Sequence, residues 1–257
     1  MRDLPKEKYY QFNMTETRSY FKNDTVYVKL VNTLRCPLRY YVTSSDTVFD
    51  KYLKKFQPLT LQQNKDTLVK IAGDSNDIKG VNIRNFLGDM NKKVILNKLT
   101  LPFNKKNSYK IIQGYNGGHS HNLDDYSRYS IDFGLKNNDT VCAADGGFVV
   151  GFIEAYEDGG SSERWRDYAN FITLYHPHSG LFTQYFHLAH NGSFVEIGDS
   201  VKMGQPIGLS GETGWTDVEH LHFQASIPVE RDLHSVKTTF EEGYKGEQLR
   251  RNDWVKK

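Results

Sequence analysis

The chain has 257 residues, enough for one large domain or two ordinary ones. With 38% hydrophobic and 25% charged residues, and no run of eighteen apolar positions, neither a helical membrane span nor a disordered chain is expected. Lys+Arg 33 against Asp+Glu 31 gives no overall basic field for nucleic acid, yet the charge is uneven: residues 1–100 hold 18 basic and 10 acidic side chains, residues 101–257 hold 15 and 21. That asymmetry predicts two domains with different surfaces.

Strand-like segments come first. Residues 25–33 (TVYVKLVNT), 37–44 (PLRYYVTS), 67–73 (TLVKIAG) and 93–97 (KVILN) are β-branched or aromatic runs bounded by Asn, Asp, Pro and Gly. They predict an all-β N-terminal β-sandwich, Ig-like, over 1–103, with 49–56 the one stretch that could form a short helical turn. A polar connector, PFNKKNS from Pro102, places the boundary near 101–109. The second domain then covers 104–257.

Strands are expected in this second half at 129–134, 140–144, 147–153, 170–176, 181–188, 198–208 and 220–225, forming an antiparallel sheet. The tail from Val229 is polar, and 238–251 is expected as a peripheral helix. Cys36 and Cys142 stand alone in opposite halves and read as buried thiols, so any metal site must use His and carboxylates. No apolar segment follows Met1, so no signal peptide is expected within this chain.

The nine histidines carry the chemistry. All lie beyond residue 100, and three pairs have i,i+2 spacing: His119/His121, His176/His178 and His220/His222. On a strand, i and i+2 share a face, so such a pair can reach one point above a sheet. Neutral imidazole is a common zinc ligand, and a catalytic zinc has three protein ligands with an open position. Asp132, inside the apolar run YSIDFG, is the candidate third ligand, because a buried carboxylate needs a cation or several donors. Spacing alone leaves open a role for Asp132 as a turn cap or backbone acceptor. His176 and His178 read as structural, His190 as an exposed loop residue, and His234 carries no pattern.

Four ordered blocks resemble the lysostaphin/LytM-type zinc endopeptidases: Ser120-His121 with Tyr129–Gly134 and VCAADGGFV from Val141; FTQYFHL from Phe182; VKMGQPIGLSGETG from Val201; and His220-Leu-His222-Phe. The resemblance covers about 114–225. It implies that His121, Asp132 and His222 hold Zn2+, that His220 is a catalytic general base, and that His187 is the second catalytic histidine, donating a hydrogen bond to the water or the oxyanion. Ten residues separate His121 from Asp132 where the family's compact motif has three, which leaves His119 as a rival ligand.

The function implied is hydrolysis of peptide bonds in bacterial cell-wall peptidoglycan by a periplasmic or secreted monomer. Its partners would be stem or cross-link peptides, with no nucleic acid and no membrane span. An inert relative that binds peptidoglycan or activates another hydrolase is the alternative, and a zinc peptidase of Gly-rich non-wall proteins is a third reading. The loop 156–168, with Trp165 and two arginines, could rim the groove or form a solvated hairpin tip. Segment 208–214 lacks the Lys-Ser/Thr of a phosphate loop and reads as a turn before the HxH strand.

Overall fold

The computed structural model describes residues 3–12 and 16–257. The chain separates into two compact units. One takes in Lys92–Val229 and Leu233–Lys257 with the first residues up to Phe12; the other runs from there to Asn91 and includes Glu230–Asp232.

Among the described residues, the smaller unit has six strands: β1 (Arg18–Lys22), β2 (Thr25–Asn32), β3 (Leu38–Thr43), β4 (Leu59–Leu61), β5 (Lys65–Ala72) and β6 (Asn82–Leu87). They form two three-stranded antiparallel sheets, β1-β2-β5 and β4-β3-β6. Strand β2 shows why: Val26, Val28 and Leu30 point inward and are fully buried, while Thr25, Tyr27, Lys29 and Val31 alternate outward. Asn32 at its end donates to the carbonyls of Cys36 (2.8 Å) and Leu61 (3.1 Å), satisfying two buried acceptors with one amide. The helical alternative at 49–56 is realised as α1 (Thr47–Leu53), followed by a single 3-10 turn. Asp46 caps α1 by accepting the Phe49 N–H at 2.7 Å, and Phe49 and Leu53 are buried.

The larger unit continues with β7 (Ser108–Gln113), β8 (Ile131–Phe133), β9 (Thr140–Cys142), β10 (Gly147–Ile153), β11 (Gly159–Gly160), β12 (Phe171–Tyr175) and β13 (Phe182–Phe186). Then come β14 (Leu188–Ser193), β15 (Ser200–Val201), β16 (Pro206–Ser210), β17 (Gly214–Trp215), β18 (Leu221–Val229), β19 (Asp232–Val236) and β20 (Trp254–Lys256). A nine-stranded sheet runs β15-β10-β12-β13-β18-β8-β7-β20, with β19 also paired to β18; β14-β16-β9 form a second sheet. One short pair, β11 with β17, is parallel, an exception to the expected antiparallel pattern.

The pleat divides the large sheet cleanly. Tyr185, Leu221, Phe223, Ala225, Ile131 and Phe133 lie on one face and join the main apolar core. The opposite face carries Gln184, Phe186, His222, Gln224 and Asp132.

Two expected elements are absent. Residues 93–97 form no strand: Ile95 and Leu96 are exposed, so the run has no buried face to keep it in register. Residues 238–251 form no long helix. Bridges Leu99↔Phe240 and Thr239↔Lys245 hold them extended, Gly243 turns the chain at φ +92°, and only Gly246–Gln248 makes a 3-10 turn. Both cysteines are buried and unpaired, as expected.

Candidate metal centre

Register across the large sheet assembles the site. Gln113 on β7 pairs with Asp132 on β8, Asp132 pairs with His222 on β18, and His222 pairs with Phe186 on β13. These four residues form one row across four strands. A register shift between Ile111 and Gln113 brings Gln113 into it. His121 arrives from the loop after β7, and its ring is fully buried.

Three atoms converge. His121 Nε2 lies 3.2 Å from Asp132 Oδ1 and 3.2 Å from His222 Nδ1, and His222 Nδ1 lies 2.9 Å from Asp132 Oδ1. The far ring nitrogens decide what these atoms are. His121 Nδ1–H donates to the Gly114 carbonyl at 2.9 Å, and His222 Nε2–H donates to Gln224 Oε1 at 3.3 Å. Each neutral imidazole therefore aims a lone pair at Asp132 Oδ1, itself an acceptor. With no proton to share, the three atoms repel unless a cation sits among them. Ligand atoms ~2.0–2.1 Å from a tetrahedral zinc lie roughly 3.3 Å apart, so this triangle matches one face of such a site and the residues fit the metal.

A polar network holds the set. Gln113 Nε2 donates to Asp132 Oδ2 (3.2 Å) and to Ser120 Oγ (3.1 Å). Ser130 Oγ–H donates to Gln224 Oε1 (2.8 Å), while Gln224 Nε2 donates to Gln184 Oε1 (2.9 Å). Gln184 in turn donates to the Tyr126 hydroxyl (3.0 Å). These glutamines were not anticipated from the sequence, although Gln224 follows His222 at the same-face spacing that drew attention to the histidine pairs.

His220 and His187 face the same centre. His220 lies just before β18, with Nε2 3.7 Å from Asp132 Oδ1 and Nδ1–H donating to the Val218 carbonyl at 2.9 Å. His187 Nδ1–H donates to the Thr213 carbonyl at 2.7 Å, and its ring centre lies 4.6 Å from that of His220. His187 adopts φ +63°, a left-handed backbone costly for a non-glycine residue. The neighbouring chain enforces it. Gly211 N–H donates to the His187 carbonyl at 2.8 Å, and a Cβ on Gly211 would come within 2.7 Å of the Ala189 backbone. Segment 208–214 thus packs against 187–189, but it is not a single turn: Gly208–Ser210 end β16 and Gly214 opens β17.

His187, His220 and His222 form a second group, their ligand atoms within 4.8 Å of one another, which shares His222 with the first. His119 is in neither cluster. It is exposed, its ring 5.6 Å from Trp215, and its backbone N–H donates to Gln113 Oε1. His176 is fully buried and bonded at both nitrogens, to the Gly146 carbonyl (2.9 Å) and Thr183 Oγ1 (2.8 Å). His178 is half exposed beside Asp145, and His190 lies exposed on β14. Among the described residues, Trp165 is buried against Tyr156 and Tyr168, whereas Arg166 lies 5.6 Å over the Trp215 ring.

Electrostatics follow the packing. Burial opposes the Asp132 charge, but the fields of His121 and His220 and the close contacts with His121 and His222 hold its carboxyl well below the usual range. Burial also opposes charge on His121, yet Asp132 outweighs it and raises the imidazole. His222 is lowered, chiefly by burial. His187 is pushed well below an ordinary histidine by burial, then by His220 and His222.

Residues 126–233 match the model of Peptidase family M23, a segment holding Asp132, His187, His220 and His222 but not His121 or Gln113. Over 124 residues the chain is 35% identical to lysostaphin of Staphylococcus simulans, covering 47% of this chain and 22% of that protein. It is 36% identical over 121 residues to the glycyl-glycine endopeptidase ALE-1 of Staphylococcus capitis (46% and 29%). An uncharacterized metalloprotease of Buchnera aphidicola is 30% identical over 128 residues (49% and 30%). The matches thus span less than a third of the length of these relatives. Among solved structures, the catalytic domain of Staphylococcus simulans lysostaphin is similar at 27% identity, TM-score 0.34, over 51% of this chain and 83% of that one. Residues 126–233 are thus similar to peptidase family M23, and about half of the chain is similar to lysostaphin-type relatives.

Proposed function

We propose that this chain is a zinc-dependent endopeptidase that hydrolyses peptide bonds in bacterial cell-wall peptidoglycan. The observation that carries the reading is the convergence of His121 Nε2, Asp132 Oδ1 and His222 Nδ1, 2.9–3.2 Å on a side, with two further histidines facing it. His121, Asp132 and His222 would hold the ion. Zinc bound there supplies Lewis-acid polarisation of a scissile carbonyl and acidifies water.

The remaining chemistry belongs to the side chains. His220 and His187 each commit Nδ1–H to a backbone carbonyl, so each presents Nε2 as a proton acceptor. His220 Nε2 takes the proton of the attacking water and passes it to the leaving amine. His187, held neutral by burial, accepts a hydrogen bond from that water. With Nδ1–H committed to the Thr213 carbonyl, a neutral His187 has no second N–H for an oxyanion, so its part is to orient the attacking water, unlike the donor role implied by family resemblance.

The names of the relatives make Gly–Gly bonds one class of substrate to try, alongside stem and cross-link peptides. We assign residues 104–257 to the peptidase domain, with 92–103 and the residues up to Phe12 grouped with it in the structure, and the rest of 1–103 to an Ig-like β-sandwich accessory domain, and we place the protein, as a monomer, in the periplasm or outside the cell. The test pairs two variants. His222→Ala should lose bound zinc, whereas His220→Ala should keep about one zinc per chain and lose turnover on purified sacculi. Zinc-free wild-type protein, or no clearing of sacculi even with zinc supplied, would favour the inert wall-binding alternative.

A further inference from the structure

The outward face of the sheet β1-β2-β5 has no part in the metal site. Its pleat presents Arg18, Tyr20 and Lys22 from β1, Thr25, Tyr27, Lys29 and Val31 from β2, and Asp66, Leu68, Lys70 and Ala72 from β5. Register sets Tyr20 opposite Tyr27, and the rings stack 4.9 Å apart at an interplanar angle of 4°. Arg18 lies 6.0 Å over the Tyr20 ring, and Lys70 lies 5.9 Å over the Tyr27 ring. The result is a ladder across three strands, with a cation at each end and two phenols between.

Two features point to an anion. Arg18 stands directly opposite Lys29, a like-charge cross-strand pair that costs stability where opposite charges would help. Among the described residues, only Lys29 of the four cations has a carboxylate partner, Glu16 at 3.6 Å; Asp66 is the one acid of the face itself. Arg18 and Lys70 are also fixed in place by the rings beneath them, so ordering them against a ligand costs less entropy than ordering free surface lysines.

We propose that this face binds a flexible, non-aromatic polyanion: a polymer of phosphodiester-linked polyol or sugar units. The ladder itself discriminates. Nucleic acids bound on open sheets stack bases on aromatic faces, but here the rings cover each other and the cations cover the outer faces. A membrane surface needs apolar side chains to insert, and the face offers only Leu68 as a large exposed aliphatic. Charge on a non-aromatic chain is what remains to be read. This proposal is independent of the peptidase reading and survives its failure.

The test uses the full-length chain and a synthetic poly(glycerol phosphate), with single-stranded DNA of equal phosphate number and anionic vesicles as comparison arms. Four cations predict a slope of log affinity against log salt of roughly −3, falling to roughly −1.5 in an Arg18→Gln/Lys70→Gln double variant. That variant should bind at least about tenfold more weakly at low salt. Lys51→Gln/Lys55→Gln, with the same charge loss at α1 and the 3-10 turn after it, should keep wild-type affinity. Loss of binding in that control, unchanged binding in the ladder variant, no binding at low salt, or equal or tighter binding to DNA or vesicles each overturns the proposal.

Discussion

Asp132→Asn gives the sharpest test of the metal centre, because its effect depends on whether the ion is present. A bound ion stabilises the native state by RT ln(1 + [L]/Kd), about 4 kcal/mol at a thousandfold excess over Kd. For a unit of this size each kcal/mol moves the midpoint by about 2–4 °C, so zinc should raise the wild-type midpoint by roughly 8–16 °C. The asparagine has the same shape. Its carbonyl can keep the Gln113 hydrogen bond made by Oδ2, and its NH2 then faces the lone pairs of His121 and His222. That arrangement satisfies the apo cluster with two donated bonds but removes the anionic ligand. Above the raised His121 pKa, where the wild-type cluster holds three acceptors and no shared proton, the variant in chelator should melt no lower than wild type. Under excess zinc it should lose nearly the whole shift. Differential scanning fluorimetry with and without zinc reads both effects. A variant that keeps the full zinc shift, or that melts many degrees lower in chelator, would refute the reasoning.

The supporting network and the buried imidazoles yield two more expectations. Gln224→Leu removes the acceptor that sets which nitrogen of His222 faces the centre, and should weaken zinc affinity about 10–100-fold in a chelator competition; unchanged affinity would mean that Gln224 does not orient the ring. His176, His187 and His222 have pKa values below the ordinary 6.5 because burial resists their charging. The unfolded chain therefore binds more protons than the native one once pH drops below 6.5, and the metal-free protein should lose stability on acidification from there. Each group contributes at most about 1.4 kcal/mol per pH unit. His121, raised by Asp132, has the opposite sign: its contribution is complete below 6.5 and fades as pH rises through its native pKa. Urea unfolding at several pH values in chelator checks the slope, and His176→Gln should flatten it; an unaltered slope in that variant would exclude His176 as a contributor.

What the sequence made legible was chemistry tied to strand period. Alternation in β2 and β18 and the apolar run enclosing Asp132 follow from side chains pointing alternately across a pleat, whereas of the three i,i+2 histidine pairs only His222 lies in a strand of the large sheet. Less legible was whatever depends on pairing between distant strands. Gln113, Gln184 and Gln224 look like ordinary polar residues until register lines them up beside Asp132 and His222. The run 93–97 has strand composition but no apolar face to bury, and 238–251 has helix-tolerant composition interrupted by Gly243 and Gly246.

The pair His220/His222 shows how far periodicity reaches. Same-face spacing offers both rings to one ion, yet β18 begins only at Leu221. His222 is therefore locked in the ladder opposite Asp132, with Nδ1 at 2.9 Å from its carboxylate. His220 lies before the ladder, turned by its own bond to the Val218 carbonyl, with Nε2 at 3.7 Å. A difference of 0.8 Å separates an atom at ligand–ligand spacing from one at the edge of the cluster. It is set by where strand pairing starts, which two histidines and a leucine cannot encode by themselves.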